Sequence, residues 1–186
     1  SDYWHGVIKD RLLPMSIWLI LSGYLQRMST TTFRSYENRG VTTTMTVFIS
    51  HQNELPDGTI TGGEPDPDDL DALKSHGFVS LISLRDVGES LLDANFFESH
   101  GFQFKHLPVS GPGDLMGDFV QQFDDALKSS KGKTVVFCAT GNRVGAAFAI
   151  HAHAFENKGV EAALEIGKQA GLTRLEGFVR QYLTLE

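Results

Sequence analysis

The residue types that could perform covalent chemistry lie close together near position 138. An apolar segment, residues 134–137, leads into Cys138, and Arg143 follows five positions later; the loop between them is Ala139, Thr140, Gly141 and Asn142. A cysteine thiolate is a strong nucleophile. An arginine fork can hold two oxygens of a phosphate or sulfate at once. The pattern therefore predicts a nucleophile beside an oxyanion-binding loop.

The residues after this loop predict a helix that starts near Val144. The first turn of a helix presents unpaired N–H groups and the positive end of the helix dipole, which favour a thiolate and a bound anion. Cys138 is the only cysteine in the chain, and the alternative interpretation is a small buried apolar side chain. Gly141, Arg143 and the strand–loop–helix context favour the chemical role.

Length and composition restrict the function classes. The chain has 186 residues, 41% of them hydrophobic, and a formal net charge of −7. This length and apolar content allow one domain with a real core plus an extension. The negative charge argues against a nucleic-acid partner or an anionic membrane surface. A single cysteine allows no intramolecular disulfide and fits a reducing compartment.

Residues 1–45 differ from the rest and are predicted to be an N-terminal extension, with one domain over 46–186. The apolar segment 16–21 continues only to about Leu25, which is too short for a membrane-spanning helix, so no stable membrane insertion is expected. Basic residues flank this segment, as they do in export signals. We expect a cytoplasmic protein, or an exported, periplasmic one if the segment is a signal.

Strands alternate with helices along the domain, which predicts an α/β fold with a largely parallel sheet. Expected strands are 59–61, 78–84, 102–109 and 134–137; expected helices begin at Asp66 and span about 91–100, 115–130, 144–157, 160–170 and 173–183. Ligands bind such sheets at the carboxyl ends of the strands. Cys138, Arg85, Asp86 and the turn after Val109 should therefore share one edge.

Several spaced motifs resemble those of a known family. They are Thr61-Gly62-Gly63-Glu64-Pro65, Ile82-Ser83-Leu84-Arg85 with Glu89, His106-Leu107-Pro108-Val109, and the Cys-x-x-Gly-x-Arg loop. From about Ile60 onward the chain resembles the bacterial beta-lactamase-hydrolase-like phosphatases of the cysteine-phosphatase superfamily. That family more usually carries Gln where Glu64 stands.

The resemblance implies a protein-tyrosine- and dual-specificity-phosphatase-like domain, with a central, mostly parallel sheet flanked by helices. It implies hydrolysis of phosphate monoesters through a thiophosphate on Cys138, with phosphate held by Arg143 and the loop amides. No metal or other cofactor is implied, and the substrate would be a phosphorylated small molecule or a phosphoprotein.

Three departures predict weaker phosphatase chemistry. Four residues, rather than five, separate Cys138 from Arg143; Phe137 replaces the usual preceding His; and Val144 replaces a Ser or Thr hydroxyl.

The acid that protonates the leaving group is less clear from the sequence. The usual Asp position falls near Ser110, which has no carboxyl group. Asp114 is the first candidate, Asp118 the second and Asp86 the third, and Asp114 or Asp118 could instead be a helix cap. Arg85 could orient the substrate or simply pair with Glu89.

Two other functions remain open at this point. A loop of six residues is also the size found in rhodanese-like sulfurtransferases, in which Cys138 would carry a persulfide. Alternatively, the loop could serve a non-catalytic oxyanion- or phosphoprotein-binding module. His151 and His153 are two positions apart on a predicted helix and cannot share a face, so no metal site is predicted.

Overall fold

A computed structural model describes residues 47–90 and 92–185 of the chain. The predicted extension over residues 1–45, with its apolar segment, lies outside these residues. Expectations about that part of the chain therefore stay predictions.

The core of the domain is a five-stranded sheet. Its strands are β1 (Asn53–Glu54), β2 (Ile60–Gly63), β3 (Phe78–Ser83), β4 (Gln103–His106) and β5 (Lys133–Cys138). They lie in the order β1-β2-β5-β3-β4. Only β1 pairs with its neighbour in the antiparallel sense; the other three pairings are parallel. The predicted α/β class with a mostly parallel sheet is confirmed.

Within the described residues, six α-helices surround this sheet: α1 (Leu70–Ser75), α2 (Ala94–Ser99), α3 (Asp118–Ser129), α4 (Asn142–Glu156), α5 (Val160–Gln169) and α6 (Glu176–Leu185). The predicted start at Asp66 is correct, because its Oδ1 accepts a hydrogen bond from the N–H of Asp68 at 2.9 Å. The start of α3 lies later than the expected position 115. Residues Pro112–Leu115 form a separate 3-10 turn, and Gly117 has a positive φ of 61° that separates it from α3.

The two faces of β5 contribute to different parts of the core. Val136 and Cys138 belong to a cluster formed with helices α3 to α6. Phe137 faces the other way and packs against Phe97 of α2, with ring centroids 6.0 Å apart. Successive side chains of a strand point to opposite faces. The Cys138 side chain consequently lies on the α4 side of the sheet.

Helices α4 and α5 pack unusually close together. A Cβ atom at Gly145 would lie 2.0 Å from the backbone nitrogen of Leu172 and 2.7 Å from the carbonyl oxygen of Gly167. Only glycine fits where two backbones approach this closely. This contact positions the chain after α5 directly beside the start of α4.

Strand register determines which residues surround Cys138. Gly63 of β2 is its partner on one side, and on the other side the N–H of Leu84 donates to the carbonyl oxygen of Phe137 at 2.8 Å. The residues that follow, Glu64 and Arg85, therefore flank the end of β5. Among the described residues, no helix is long and apolar enough to cross a membrane.

Candidate active site

The Cys138 loop connects β5 to α4 through a sharp turn. Cys138 is the last residue of β5 and is 1% exposed. Gly141 has a φ of 79°, in the left-handed region where glycine is favoured, and it precedes the first residue of α4. The first helical hydrogen bond runs from Gly145 N–H to the Gly141 carbonyl oxygen at 2.8 Å. The N–H groups of residues 142–144 lie ahead of that bond and are available to an anion.

Two hydrogen bonds hold the guanidinium of Arg143. Its Nη1 donates to the carbonyl oxygen of Val109 at 2.5 Å, and its Nη2 donates to Oε2 of Glu89 at 2.6 Å. Burial by itself would lower the pKa of Arg143, but the Glu89 hydrogen bond, the charge of Cys138 and a hydrogen bond with Cys138 together raise it. The structure thus brings the predicted nucleophile and the predicted anion-binding arginine together.

Glu89 is the residue whose role the sequence did not reveal. The resemblance places it in an acidic loop, where Arg85 is its expected partner. Its carboxylate instead binds Arg143 and accepts the N–H of Asp86 at 3.2 Å. The hydrogen bond with Arg143 is the main cause that lowers the pKa of Glu89. Glu89 therefore stays ionised and orients the guanidinium.

Arg85 has other partners. Its Nη2 donates to the backbone carbonyl of Glu89, and its Nε lies 3.6 Å from Oε2 of Glu64. The Glu64–Arg85 side chains are 17% and 18% exposed, respectively. The other oxygen of Glu64 accepts a hydrogen bond from Ser90. Arg85 thus pairs with the Glu64 carboxylate and only with the main chain of Glu89.

Asp86 and Asp114 both bind the turn after β4. Oδ1 of Asp86 accepts Ser110 Oγ and Val87 N–H, each at 2.7 Å, and the Ser110 bond is the main cause that lowers the pKa of Asp86. Oδ2 of Asp114 accepts the N–H groups of Ser110 at 2.8 Å and Gly111 at 3.0 Å. Asp114 therefore stabilises the 3-10 turn from its third position, while Gly111 is the N-cap residue. The alternative interpretation expected Asp114 or Asp118 to be an N-cap.

Asp118, the second acid candidate, is exposed at the first residue of α3. An acidic residue in the first turn of a helix is stabilised by the dipole. A carboxylate at this position can stabilise the start of α3 as readily as it can donate a proton to a leaving group.

The loop residues between Cys138 and Arg143 point in different directions. The side chains of Ala139 and Thr140 are exposed. Oδ1 of Asn142 accepts hydrogen bonds from Thr173 N–H at 2.9 Å, Thr173 Oγ1 at 3.1 Å and Leu175 N–H at 3.3 Å. The Asn142 side chain thus anchors the segment before α6, and only its backbone can contribute to an anion site.

Two clefts lie at this end of the sheet. The first, which we name the acidic cleft, has a volume of about 400 Å³ and is lined by Phe48, Ser50, Glu64, Pro65, Asp66, Pro67, Arg85, Glu89 and Leu92. The second, the basic cleft, has a volume of about 550 Å³ and is lined by His51, Gln52, Asn53, Thr140, Lys168, Gly171, Thr173 and Arg174.

The histidines of α4 have structural partners. Nε2 of His151 lies 3.0 Å from Oδ1 of Asp124, and Nδ1 of His153 lies 2.7 Å from the carbonyl oxygen of Lys158. Within residues 47–90 and 92–185, no group of three or more His, Cys, Asp or Glu residues could hold a metal ion.

Comparison with known proteins identifies the fold. Neither a family model nor a curated protein sequence matches the chain. Solved structures do match, among them a Shewanella putrefaciens DUF442 protein described as a candidate phosphatase. It has 17% sequence identity and a TM-score of 0.55, with 73% of this chain and 87% of that chain covered.

Two further structures show the same similarity. A candidate phosphatase of Neisseria meningitidis has 21% identity and a TM-score of 0.55, covering 67% of this chain and 90% of its own. Kinase-associated phosphatase, in a form whose catalytic cysteine is replaced by serine, has 17% identity and a TM-score of 0.54, covering 74% of this chain and 92% of its own. The chain has the fold of protein-tyrosine- and dual-specificity-type cysteine phosphatases, as the resemblance predicted.

Proposed function

We propose that the protein hydrolyses phosphate monoesters with Cys138 as nucleophile. The observation that carries this proposal is the position of Arg143, which is fixed by Glu89 and Val109 and interacts electrostatically with Cys138, within a cysteine-phosphatase fold. A guanidinium in this place can bind two phosphate oxygens and stabilise the charge that develops in transfer.

The reaction has two steps. The Cys138 thiolate attacks phosphorus, an S–P bond forms, and the ester O–P bond breaks as the leaving alcohol takes a proton. Water then attacks phosphorus, the S–P bond breaks, and inorganic phosphate leaves with the thiolate restored. The loop amides and Arg143 hold the phosphoryl oxygens throughout.

Asp114 is the proposed source of the proton. It lies on the segment that follows Val109, whose carbonyl binds Arg143, and its carboxyl group is exposed. The substitution Asp114→Asn keeps an oxygen that can accept the N–H groups of the turn, so the local fold should survive. We expect the limb of the pH–rate profile that reports the acid to flatten; an unchanged profile would transfer the role to Asp118.

Two departures from common phosphatases have structural explanations that favour slow turnover. Phe137 is fully buried against Phe97, so it packs the sheet instead of polarising the nucleophile. Val144 is also fully buried and supplies no hydroxyl near the thiolate. We expect modest kcat values and a pronounced dependence on leaving-group quality.

Parallel assays test the proposal against sulfur transfer and against binding alone. We expect release of inorganic phosphate from an aryl phosphate and its loss by at least about 10³-fold in Cys138→Ser. Cyanide-dependent release of thiocyanate from thiosulfate would instead support a persulfide on Cys138. Phosphate binding without turnover in either assay would leave only an oxyanion-binding module.

A further inference from the structure

The basic cleft begins at the Cys138 loop itself. Thr140 of that loop is exposed and lines the cleft. A substrate whose phosphoryl group sits in the loop therefore has this cleft as an immediate neighbour.

Gly171, Thr173 and Arg174 form one wall of the basic cleft, and this wall is fixed relative to the loop. Asn142 accepts three hydrogen bonds from Thr173 and Leu175. Gly171 has a φ of 104°, and a Cβ atom there would lie 3.1 Å from the carbonyl oxygen of Gly141. The wall and the loop are thus packed backbone against backbone, and such preorganisation reduces the entropy lost on binding.

The charges of the cleft are positive. Lys168 and Arg174 line it together with His51, and no carboxylate is among its lining residues. Lys168 already contacts Glu165 at 3.0 Å and Glu176 at 3.3 Å. Among residues 47–90 and 92–185, Arg174 makes no ion pair, so its guanidinium is available to a ligand.

We propose that the basic cleft binds a second anionic group of the substrate, so that the preferred substrate is a small phosphate ester carrying another phosphate. This inference rests on the proposed phosphatase function. Arg174 would hold the second phosphate as a bidentate partner, and Thr140 and Lys168 would add donors. The acidic cleft on the other flank would repel the same group.

A pair of aryl phosphates with nearly the same leaving group tests the proposal. The pair is 4-ethylphenyl phosphate and 4-(2-phosphonoethyl)phenyl phosphate, with phosphonoalkyl chains of one to four carbons to vary the reach. The phosphonate cannot be hydrolysed, so released phosphate reports only the ester. We expect kcat/KM to be about tenfold higher for the best phosphonate than for the ethyl compound at low salt, because hydrogen bonds between charged groups are worth this much.

Arg174→Gln should remove that advantage and change kcat/KM for 4-ethylphenyl phosphate by less than about twofold. Lys158→Gln is the matched control, because it removes one positive charge at an exposed residue outside the cleft. The advantage should also shrink at high ionic strength in the unaltered protein.

Equal kcat/KM values for the two substrates would overturn the inference while leaving the phosphatase function intact. A higher kcat/KM for the phosphonate that persists in Arg174→Gln would do the same. An Arg174-dependent advantage seen only with a doubly phosphorylated peptide would overturn the small-molecule assignment. If no ester is hydrolysed, calorimetric binding of the same pair to Cys138→Ser still decides the matter: equal affinities refute the second anion site, and an Arg174-dependent preference supports it.

Discussion

The acidic cleft is connected to the Cys138 loop through the Glu89–Arg143 ion pair, whereas the basic cleft is lined by Thr140 of that loop. The two clefts use their charged groups differently. In the acidic cleft, Glu64 pairs with Arg85 and Glu89 pairs with Arg143. In the basic cleft, Lys168 is paired with residues outside the cleft, and Arg174 makes no ion pair within the described part of the chain. The carboxylates of the acidic cleft therefore hold guanidinium groups in position, whereas Arg174 has no carboxylate partner among the described residues.

This difference indicates that the two clefts have different roles around Cys138. The acidic side orients the guanidinium on which phosphate binding depends, so changes there should affect every substrate. The basic side should affect only substrates that reach it.

Glu89→Gln should have the largest effect. Without its charged partner, Arg143 loses the contact that orients it, and we expect kcat/KM to fall by about tenfold or more. The fall should be the same for 4-ethylphenyl phosphate and its phosphonate analogue. A fall confined to one of the two would contradict the proposed role of the acidic cleft.

Asn142→Ala should loosen the basic cleft. Removing an oxygen that accepts three hydrogen bonds should lower the free energy of unfolding by about 1 kcal/mol, as measured by urea titration. It should also reduce the advantage of the phosphonate substrate. Asn142→Asp keeps the acceptor and serves as control; equal losses in the two variants would show that the hydrogen bonds are not responsible.

Glu64→Gln tests a smaller contribution to stability, that of the Glu64–Arg85 ion pair. Gln can still accept the hydrogen bond from Ser90, but the ion pair with Arg85 is lost, so we expect unfolding free energy to fall by about 0.5 kcal/mol. Glu98→Gln, at an exposed position of α2, is the control for net charge. A change in substrate preference would mean that Glu64 contacts the substrate.

The smallest expected effect is the change with pH in the stability that the Glu89–Arg143 pair contributes. The pKa of Glu89 is lowered from its ordinary value of about 4.5, chiefly by the hydrogen bond with Arg143. The pair should therefore contribute fully to stability above that value and lose its contribution as pH falls through the lowered pKa. Urea titrations between pH 7 and pH 3 would give the free energy of unfolding of the unaltered protein and of Glu89→Gln. We expect the difference between these two free energies to narrow only at the acidic end.

Local patterns were sufficient for much of the fold. The four predicted strands, the order of the helices, the Asp66 start and the loop that contains Gly141 all depend on residues a few positions apart, and the structure agrees with them. The short strand β1 was not predicted. Boundaries were less accurate where turn chemistry interrupts a periodic pattern. Pro112–Leu115 is the clearest example, because the residues resemble a helix start but close a separate turn.

The sequence by itself determined the candidate chemistry: one cysteine at a strand end, followed by a glycine turn and an arginine. Only the tertiary structure decided what surrounds them. The partner of Arg143 is 54 positions away in the chain, and the Asn142 side chain binds residues more than 30 positions later. Such contacts depend on the sheet register and on helix packing at Gly145, which bring distant segments together and leave no local signature in the residues themselves.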